Sequence, residues 1–151
     1  MTNASTSLLL VDTNILVYSL DPRNLVKQQA AMALLRTLES NARSFLSTQV
    51  LGEFFNTITR LLPPLMRSAA EQAVDDFCET FTVLPLTVEI VKAATVGSGR
   101  LQMSYWDALV WATAKLNGIR TILTEDMQSS AVVEGIAYIN PFTPDFDLAS
   151  L

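Results

Sequence analysis

The stretch LLLVDTN at residues 8–14 decides the fold. Four consecutive apolar residues are typical of a strand that is buried on both faces. The polar Asp-Thr-Asn that follows is typical of a turn that caps a helix. The sequence therefore predicts that the carboxylate of Asp12 lies at the C-terminal end of a buried strand, where open α/β sheets place their ligands.

Segments with strand and helix patterns alternate along the rest of the chain, which predicts an α/β fold with a mostly parallel sheet covered on both faces. Strands are predicted at Leu8–Asp12, Ser44–Ser47, Thr82–Leu84, Ile119–Leu123 and Ile136–Ile139. Helices are predicted at Asn14–Ser19, Leu25–Leu38, Thr48–Leu62, Ser68–Thr80, Thr87–Val96 and, capped by Ser104, up to Asn117. The Gly-Ser-Gly-Arg at residues 97–100 is interpreted as a helix stop. Residues 1–151 form one expected domain, with an extended C-terminal arm at 140–151.

Four acidic residues stand in apolar surroundings: Asp12, Glu53, Asp107 and Asp126. Asp12 and Asp126 each follow a predicted strand, while Asp107 begins a helix that is apolar nearly all round. Glu125 is an alternative to Asp126. The chain has no histidine, which excludes hydrolases that use a histidine base. A cluster of carboxylates without imidazole favours one or two Mg²⁺ or Mn²⁺ ions over zinc.

Each acid also has an ordinary explanation. Asp12 and Asp126 could cap helices or turns, Glu53 could lie on a solvated helix face, and Asp107 could form a capping box with Ser104. The joint pattern favours a metal site, because four neighbouring carboxylates repel one another unless a cation is bound. At about 100° per residue, Glu53 shares a polar helix face with Asn56 and Arg60. We expect this face to line a cleft in which Arg60 contacts phosphate.

The composition sets further limits. The formal net charge of −5 argues against a protein whose main task is nonspecific binding of long nucleic acid, but it does not exclude a nuclease. The single cysteine, Cys78, follows a helical pattern and is expected to be buried. The first residues lack the basic character of a signal peptide, and no apolar run is long enough to span a membrane. A cytoplasmic location is the expectation.

Four segments of the chain, taken together, carry a family resemblance. These are LLLVDTNILVYSLD at residues 8–21, LSTQVLGEFFN at 46–56, SYWDALVWATAKLNG at 104–118 and ILTEDMQ at 122–128. In this order and spacing they resemble PIN-domain ribonucleases, especially VapC-type toxins of bacterial toxin–antitoxin modules. With the helices between them, the resemblance covers nearly the whole chain.

The resemblance implies a fold, a site and partners. The fold would be a three-layer α/β/α arrangement, and the activity would be Mg²⁺- or Mn²⁺-dependent cleavage of RNA. By resemblance, the partners are a second copy of the chain and a small antitoxin protein. The acids that match the family's metal site are Asp12, Glu53, Asp107 and Asp126, and the polar residues expected to support them are Thr13, Asn14 and Thr124.

Two other functions are compatible with parts of this pattern. A PIN fold can retain its acids and act mainly as a binding module for protein or RNA partners. A phosphatase of the haloacid dehalogenase type would use Asp12 as a nucleophile, but it needs a second aspartate two residues later. Position 14 is an asparagine, so the sequence favours the nuclease.

Overall fold

A computed structural model describes residues 7–127 and 131–151 of the chain. The strands are β1 (Leu9–Val11), β2 (Ser44–Ser47), β3 (Thr82–Leu84), β4 (Thr121–Leu123), β5 (Val132–Val133) and β6 (Ile136–Ile139). The α-helices are α1 (Thr13–Leu20), α2 (Leu25–Glu39), α3 (Thr48–Leu61), α4 (Arg67–Thr80), α5 (Val88–Leu101) and α6 (Tyr105–Leu116). Short 3₁₀ helices lie at Pro64–Met66 and Leu148–Ser150. The N-terminal residues considered for a signal peptide include positions 1–6, which lie outside the described residues.

The strands form one sheet in the order β3-β2-β1-β4-β6-β5. All neighbouring strands are parallel except β5, which pairs antiparallel with β6. The predicted mostly parallel sheet is therefore confirmed. Its central strand is β1, whose three residues are all buried, as the apolar run at its start predicts.

Helices lie on both faces of this sheet. From β1 the chain moves outward through β2 to β3, and α1 to α4 along this path pack against one another. It then returns across the sheet to β4 through α5 and α6, which pack together. Crossovers between parallel strands are right-handed. Because the chain first moves outward and then returns in the opposite direction, α1 to α4 lie on one face of the sheet and α5 and α6 lie on the other. The reversal occurs beside β1, so a crevice is expected where β1 and β4 end.

Two predictions about α5 and α4 are wrong. The helix expected to stop at residues 97–100 continues to Leu101, and Gln102 ends it in the left-handed conformation. Gly97 is a packing residue here, since a Cβ on it would lie 2.7 Å from Cζ3 of Trp111 on α6. Cys78 is exposed rather than buried, because α4 turns the stripe through Ala70 and Phe77 toward the core and leaves the thiol outside it.

The C-terminal region also differs from the sequence prediction. A short antiparallel pair, β5 and β6, joins through Glu134 and Gly135, both with positive φ. Its first strand has only two residues and gives too little pattern to be recognised. Residues 140–151 do not form an extended arm. They fold back through turns, and their apolar side chains at Phe142, Phe146 and Leu148 pack against the core.

The close approach of α5 to α6 makes a testable prediction. Gly97→Ala should lower the free energy of unfolding by about 1–3 kcal/mol, because the new methyl group collides with the buried ring of Trp111. Gly99→Ala is the matched control on the same helix, where a Cβ would meet nothing within 4 Å. That variant should be about 0.5–1 kcal/mol more stable, because alanine favours a helix. Equal effects of the two substitutions in urea denaturation would contradict the packing role of Gly97.

Candidate active site

The alignment of β1 with β4 places Asp12 beside Thr124. Val11 is in register with Leu123, and the backbone N–H of Asp12 donates to the carbonyl of Leu123 at 3.0 Å. The next residue on each strand therefore leaves the sheet at the same edge. There the hydroxyl of Thr124 donates to Oδ2 of Asp12 at 2.8 Å. The backbone N–H of Thr13 donates to the other oxygen, Oδ1, at 2.8 Å.

Asn14 connects this pair to the turn after β4. Its amide nitrogen donates to Oγ1 of Thr124 at 3.0 Å and to Oδ2 of Asp126 at 3.1 Å. The backbone N–H of Glu125 donates to the amide oxygen of Asn14 at 3.3 Å. One side chain thus holds the start of α1 against the turn and orients the carboxylate of Asp126.

The hydroxyl of Thr124 has a partner at each of its hydrogen-bonding positions. It accepts from the Asn14 amide and from the backbone N–H of Asp126, the latter at 3.2 Å. Both acceptor positions are then occupied, so its one proton points at Asp12. This network fixes the orientation of a carboxylate that is only 8% exposed.

Glu53 reaches the same area from α3. Ser47 caps this helix by accepting from the backbone N–H of Val50. Glu53 is half-buried, and its Oε1 accepts from the amide of Gln49 at 2.5 Å. The same amide donates to the backbone carbonyl of Trp106 on α6 at 3.1 Å. Gln49 therefore joins α3 to the first turn of α6.

Asp107 lies on that first turn of α6. Ser104 caps the helix by accepting from the backbone N–H of Asp107 at 3.1 Å, and its hydroxyl donates to Oδ2 of Asp107 at 2.8 Å. This cap differs from a capping box, in which the acid would reach the backbone N–H of the cap residue. Since only one carboxylate oxygen is engaged by this contact, capping leaves the other available.

The acids influence one another electrostatically. The pKa of Asp12 is raised to about 6, chiefly by burial and in part by the charges of Asp126 and Asp107, against the lowering effect of the hydrogen bonds from Thr124 and Thr13. Burial also raises the pKa of Glu53, with Asp107 and Asp126 acting in the same direction. The structure therefore brings the four predicted acids within electrostatic reach of one another, and Asp126 is the most exposed of them.

Glu125, the alternative to Asp126, turns away from this site. Its carboxylate accepts from Nζ of Lys27 on α2 at 2.6 Å and from the hydroxyl of Tyr18 on α1. A carboxylate already paired with an ammonium is a poorer cation ligand than a free one. The geometry thus favours Asp126 as the fourth acid and gives Glu125 the task of holding the turn.

The donor set suits an oxygen-seeking divalent cation. None of the four acids has an ion-pair partner among residues 7–127 and 131–151, so their negative charge is not offset there by protein. Two buried oxygens nearby in sequence, Thr13 Oγ1 and Gln49 Oε1, also lack a hydrogen-bond partner within the described chain. No three acidic side chains of the described residues converge tightly enough to hold one ion as they stand. The chemistry of the donors fits Mg²⁺ or Mn²⁺, and binding would require side-chain adjustment.

Two grooves meet at Glu53. The larger, of about 550 Å³, is lined by Glu53, Asn56 and Arg60, as the polar helix face predicts. The smaller, of about 310 Å³, is lined by Asn14, Asp126 and, again, Glu53. We call the two grooves together the acidic trough. Arg60 forms no ion pair with Glu53 or with any other acid that the structure describes.

Sequence reasoning missed several residues around the site. Gln49, Trp106 and Lys27 act through contacts between separate helices that no local pattern reveals. Tyr138 on β6 is buried near the acids, and burial together with the charges of Asp107 and Asp12 raises its pKa. A tyrosine within a short apolar strand gives no sequence signal that distinguishes this position from ordinary core.

The sequence profile of the PIN domain family matches residues 9–134, which span β1 and all four acids. This chain belongs to the PIN domain family. No functionally curated protein matches the sequence.

Solved structures of toxins and toxin–antitoxin complexes share this fold. VapC20 of Mycobacterium tuberculosis, a toxin that cleaves the sarcin–ricin loop, superposes with a TM-score of 0.64 at 19% identity over 76% of this chain and 86% of that one. A toxin–antitoxin complex from Klebsiella pneumoniae gives 0.62 at 19% identity, covering 89% and 98%. DNA-bound VapBC from Salmonella typhimurium gives 0.63 at 14% identity, covering 88% and 97%. At these identities the likeness shows the fold alone.

The raised pKa of Asp12 predicts how pH affects the metal-free PIN domain. An unfolded aspartate loses its proton near pH 4, whereas folded Asp12 keeps it to about pH 6. As the pH rises from about 4 to above 6, the titration of Asp12 should therefore lower the free energy of unfolding by roughly 2–3 kcal/mol. Asp12→Asn should lack this component. Urea denaturation in EDTA across this range measures it, and superimposable pH profiles for the two proteins would contradict it.

Proposed function

We propose that this PIN domain is a metal-dependent endoribonuclease that hydrolyses RNA phosphodiester bonds. The observation that carries the proposal is that Asp12, Glu53, Asp107 and Asp126 lie within electrostatic reach of one another without a described basic partner. Such a cluster favours divalent cations, and two of its acids, Glu53 and Asp126, line an open trough that a polynucleotide strand can enter. The family membership supports the same reaction class.

Each acid would hold the metal in a different way. Asp12 is oriented by Thr13 and Thr124, so its position is set before any ion binds. Asp107 presents its carboxylate from a capped helix start, and Asp126 is adjustable because it is exposed. One or two bound Mg²⁺ or Mn²⁺ ions supply Lewis-acid polarisation of the phosphate and a lower pKa for the attacking water.

The surrounding residues would prepare the site for phosphate. Asn14 and Thr124 keep the turn after β4 in place, and Gln49 keeps Glu53 directed at the space in front of α6. Arg60 and Asn56 lie farther along the trough. Because Arg60 has no described acidic partner, its guanidinium is available to bind a phosphate of the substrate.

The function is tested by RNA cleavage under controlled metal conditions. Cleavage should require Mg²⁺ or Mn²⁺ and stop in EDTA. Asp12→Asn and Asp107→Asn should each lower the rate by two orders of magnitude or more, because a lost ligand weakens both ion binding and water activation. Asp126→Asn should be more harmful than Glu125→Gln, since Glu125 contacts Lys27 instead of facing the trough.

Folding controls accompany these variants. Each variant should still unfold in one cooperative thermal transition. A lower cleavage rate then cannot be explained by loss of the folded structure. Undiminished cleavage in chelator would refute metal dependence, and wild-type turnover by Asp12→Asn would remove that residue from the site. RNA binding without any cleavage would favour the binding module.

We further propose that the protein is the toxin of a toxin–antitoxin pair and forms a homodimer in the cytoplasm. Exposed apolar side chains on α2, at Leu25, Val26 and Met32, provide a surface for protein contact. Helix α4, by contrast, exposes none of its large apolar side chains within the described structure. No helix in the described parts of the chain has the length and apolarity to cross a membrane.

The partner proposal predicts an oligomeric state and an inhibitor. Light scattering of the isolated protein should give twice the chain mass of 16.6 kDa. Addition of the product of an adjacent small gene should increase that mass and abolish RNA cleavage, because a basic side chain reaching the acids would displace the cation. A monomer that neither binds that product nor loses activity would refute the toxin assignment and leave the nuclease chemistry intact.

A further inference from the structure

An exposed aromatic side chain stands beside the acidic trough without a role in the reaction proposed above. Trp106 is 59% exposed and lines the larger groove together with Glu53 and Arg60. It immediately precedes Asp107 on the first turn of α6. A single exposed apolar residue is ordinary on a protein surface, so the position of this indole and its supports determine what it can do.

Two contacts support Trp106, one to its backbone and one to its ring. The amide of Gln49 donates to the backbone carbonyl of Trp106 and to Glu53, which ties the tryptophan to a site acid through one side chain. The ring of Tyr105 packs edge-on against the indole, with centroids 5.4 Å apart. The backbone beside the indole is thus fixed relative to Glu53 while more than half of the residue's surface remains open.

The trough gives a strand a continuous path past this indole. Its two grooves share Glu53 and Thr57, so a chain lying in it contacts Trp106 and Glu53 in the larger groove and Asn14 and Asp126 in the smaller one. Arg60 lines the same groove as Trp106 and has no ion-pair partner in the described structure. An aromatic face, a guanidinium and the carboxylates of Glu53 and Asp126 therefore line the same trough.

We propose that Trp106 is a stacking platform for one base of a single-stranded RNA near the scissile phosphate. The inference rests on the ribonuclease function and specifies its substrate class. A base stacks on an indole only when its face is free, which holds in single strands and loops but not inside a duplex. Trp106 thereby selects unpaired RNA, and it does so with little preference for base identity.

The two tryptophans of the chain make this measurable by fluorescence. Trp106 is open to solvent, whereas Trp111 is 2% exposed and gives a constant background. A short single-stranded RNA added to the Asp12→Asn protein should quench the emission as it binds. A hairpin with the same base composition, fully paired except for its loop and ends, should bind at least tenfold more weakly.

Substitutions separate stacking from charge. Trp106→Ala should raise the Kd for the single strand by about tenfold or more, as loss of one stacked base predicts, while Trp106→Phe should retain most of the affinity. Because the alanine variant loses the reporting indole, its Kd is measured by anisotropy of a labelled RNA. Leu65→Ala is the matched control, since Leu65 is 79% exposed and lies outside the trough. It should bind like the parent.

The salt dependence gives an independent readout. Trp106→Ala should leave the slope of log Kd against log salt unchanged, because stacking releases no counterions. Arg60→Ala should reduce that slope by about one, with Arg36→Ala on α2 as the matched charge control. An RNA with one abasic nucleotide at successive positions tests the same contact without altering the protein. When the abasic nucleotide is at the stacked position, Trp106→Ala should change the Kd very little, because the base that it would contact is already missing.

The outcomes distinguish this inference from the function on which it rests. If wild-type protein cleaves RNA but Trp106→Ala binds single strands as tightly as its parent, stacking is refuted, and the groove serves another ligand such as a protein segment. If binding depends on Trp106 but no RNA is cleaved, the stacking contact stands, whereas the nuclease and the placement of the base near a scissile phosphate are refuted. If the protein neither binds nor cleaves RNA, both fail.

Discussion

The pairing of β1 with β4 is the constraint on which the site depends. These strands are distant in sequence but adjacent at the centre of the sheet, with Val11 in register with Leu123. One residue beyond that register, Asp12 and Thr124 share a hydrogen bond, and Asn14 extends the contact to Asp126. A shift of one residue would turn Asp12 and Thr124 to different sides of the sheet, since side chains alternate along a strand.

This arrangement buries the carboxylate of Asp12 near other acids, which is electrostatically unfavourable. Asp12 is buried near two other acids, and its raised pKa records how unfavourable its charge is there. The apolar residues of β1 and the network through Thr124 hold the carboxylate in place despite that cost. Such repulsion between like charges is common in binding sites, because a bound ligand of opposite charge offsets it. A divalent cation would therefore stabilise the fold and complete the site together.

Much of this organisation could be predicted from sequence. Asp12, Glu53, Asp107 and Asp126 are conspicuous because each interrupts or borders an apolar segment, and parallel strands bring their ends together. The bounds of β2, β3 and β6 match the predicted ones, because turn and cap signals flank them.

Local sequence signals gave wrong predictions where contacts between distant residues determine the structure. The glycines at residues 97 and 99 predicted a stop, but close packing of Gly97 on Trp111 lets the helix continue. Gln49 and Trp106 meet across 57 residues, which no local pattern reports.

The central claim is that four acids from separate segments form one cation site. Calorimetric titration of Mn²⁺ into the protein and its single-residue variants tests it most directly. We predict saturable binding that is strongly weakened by Asp12→Asn, Glu53→Gln, Asp107→Asn and Asp126→Asn. Glu125→Gln should bind Mn²⁺ much as the wild type does, because Glu125 is held by Lys27 outside the site. Binding that survives Asp12→Asn and Asp107→Asn unchanged, or that is lost equally in Glu125→Gln, would contradict the account.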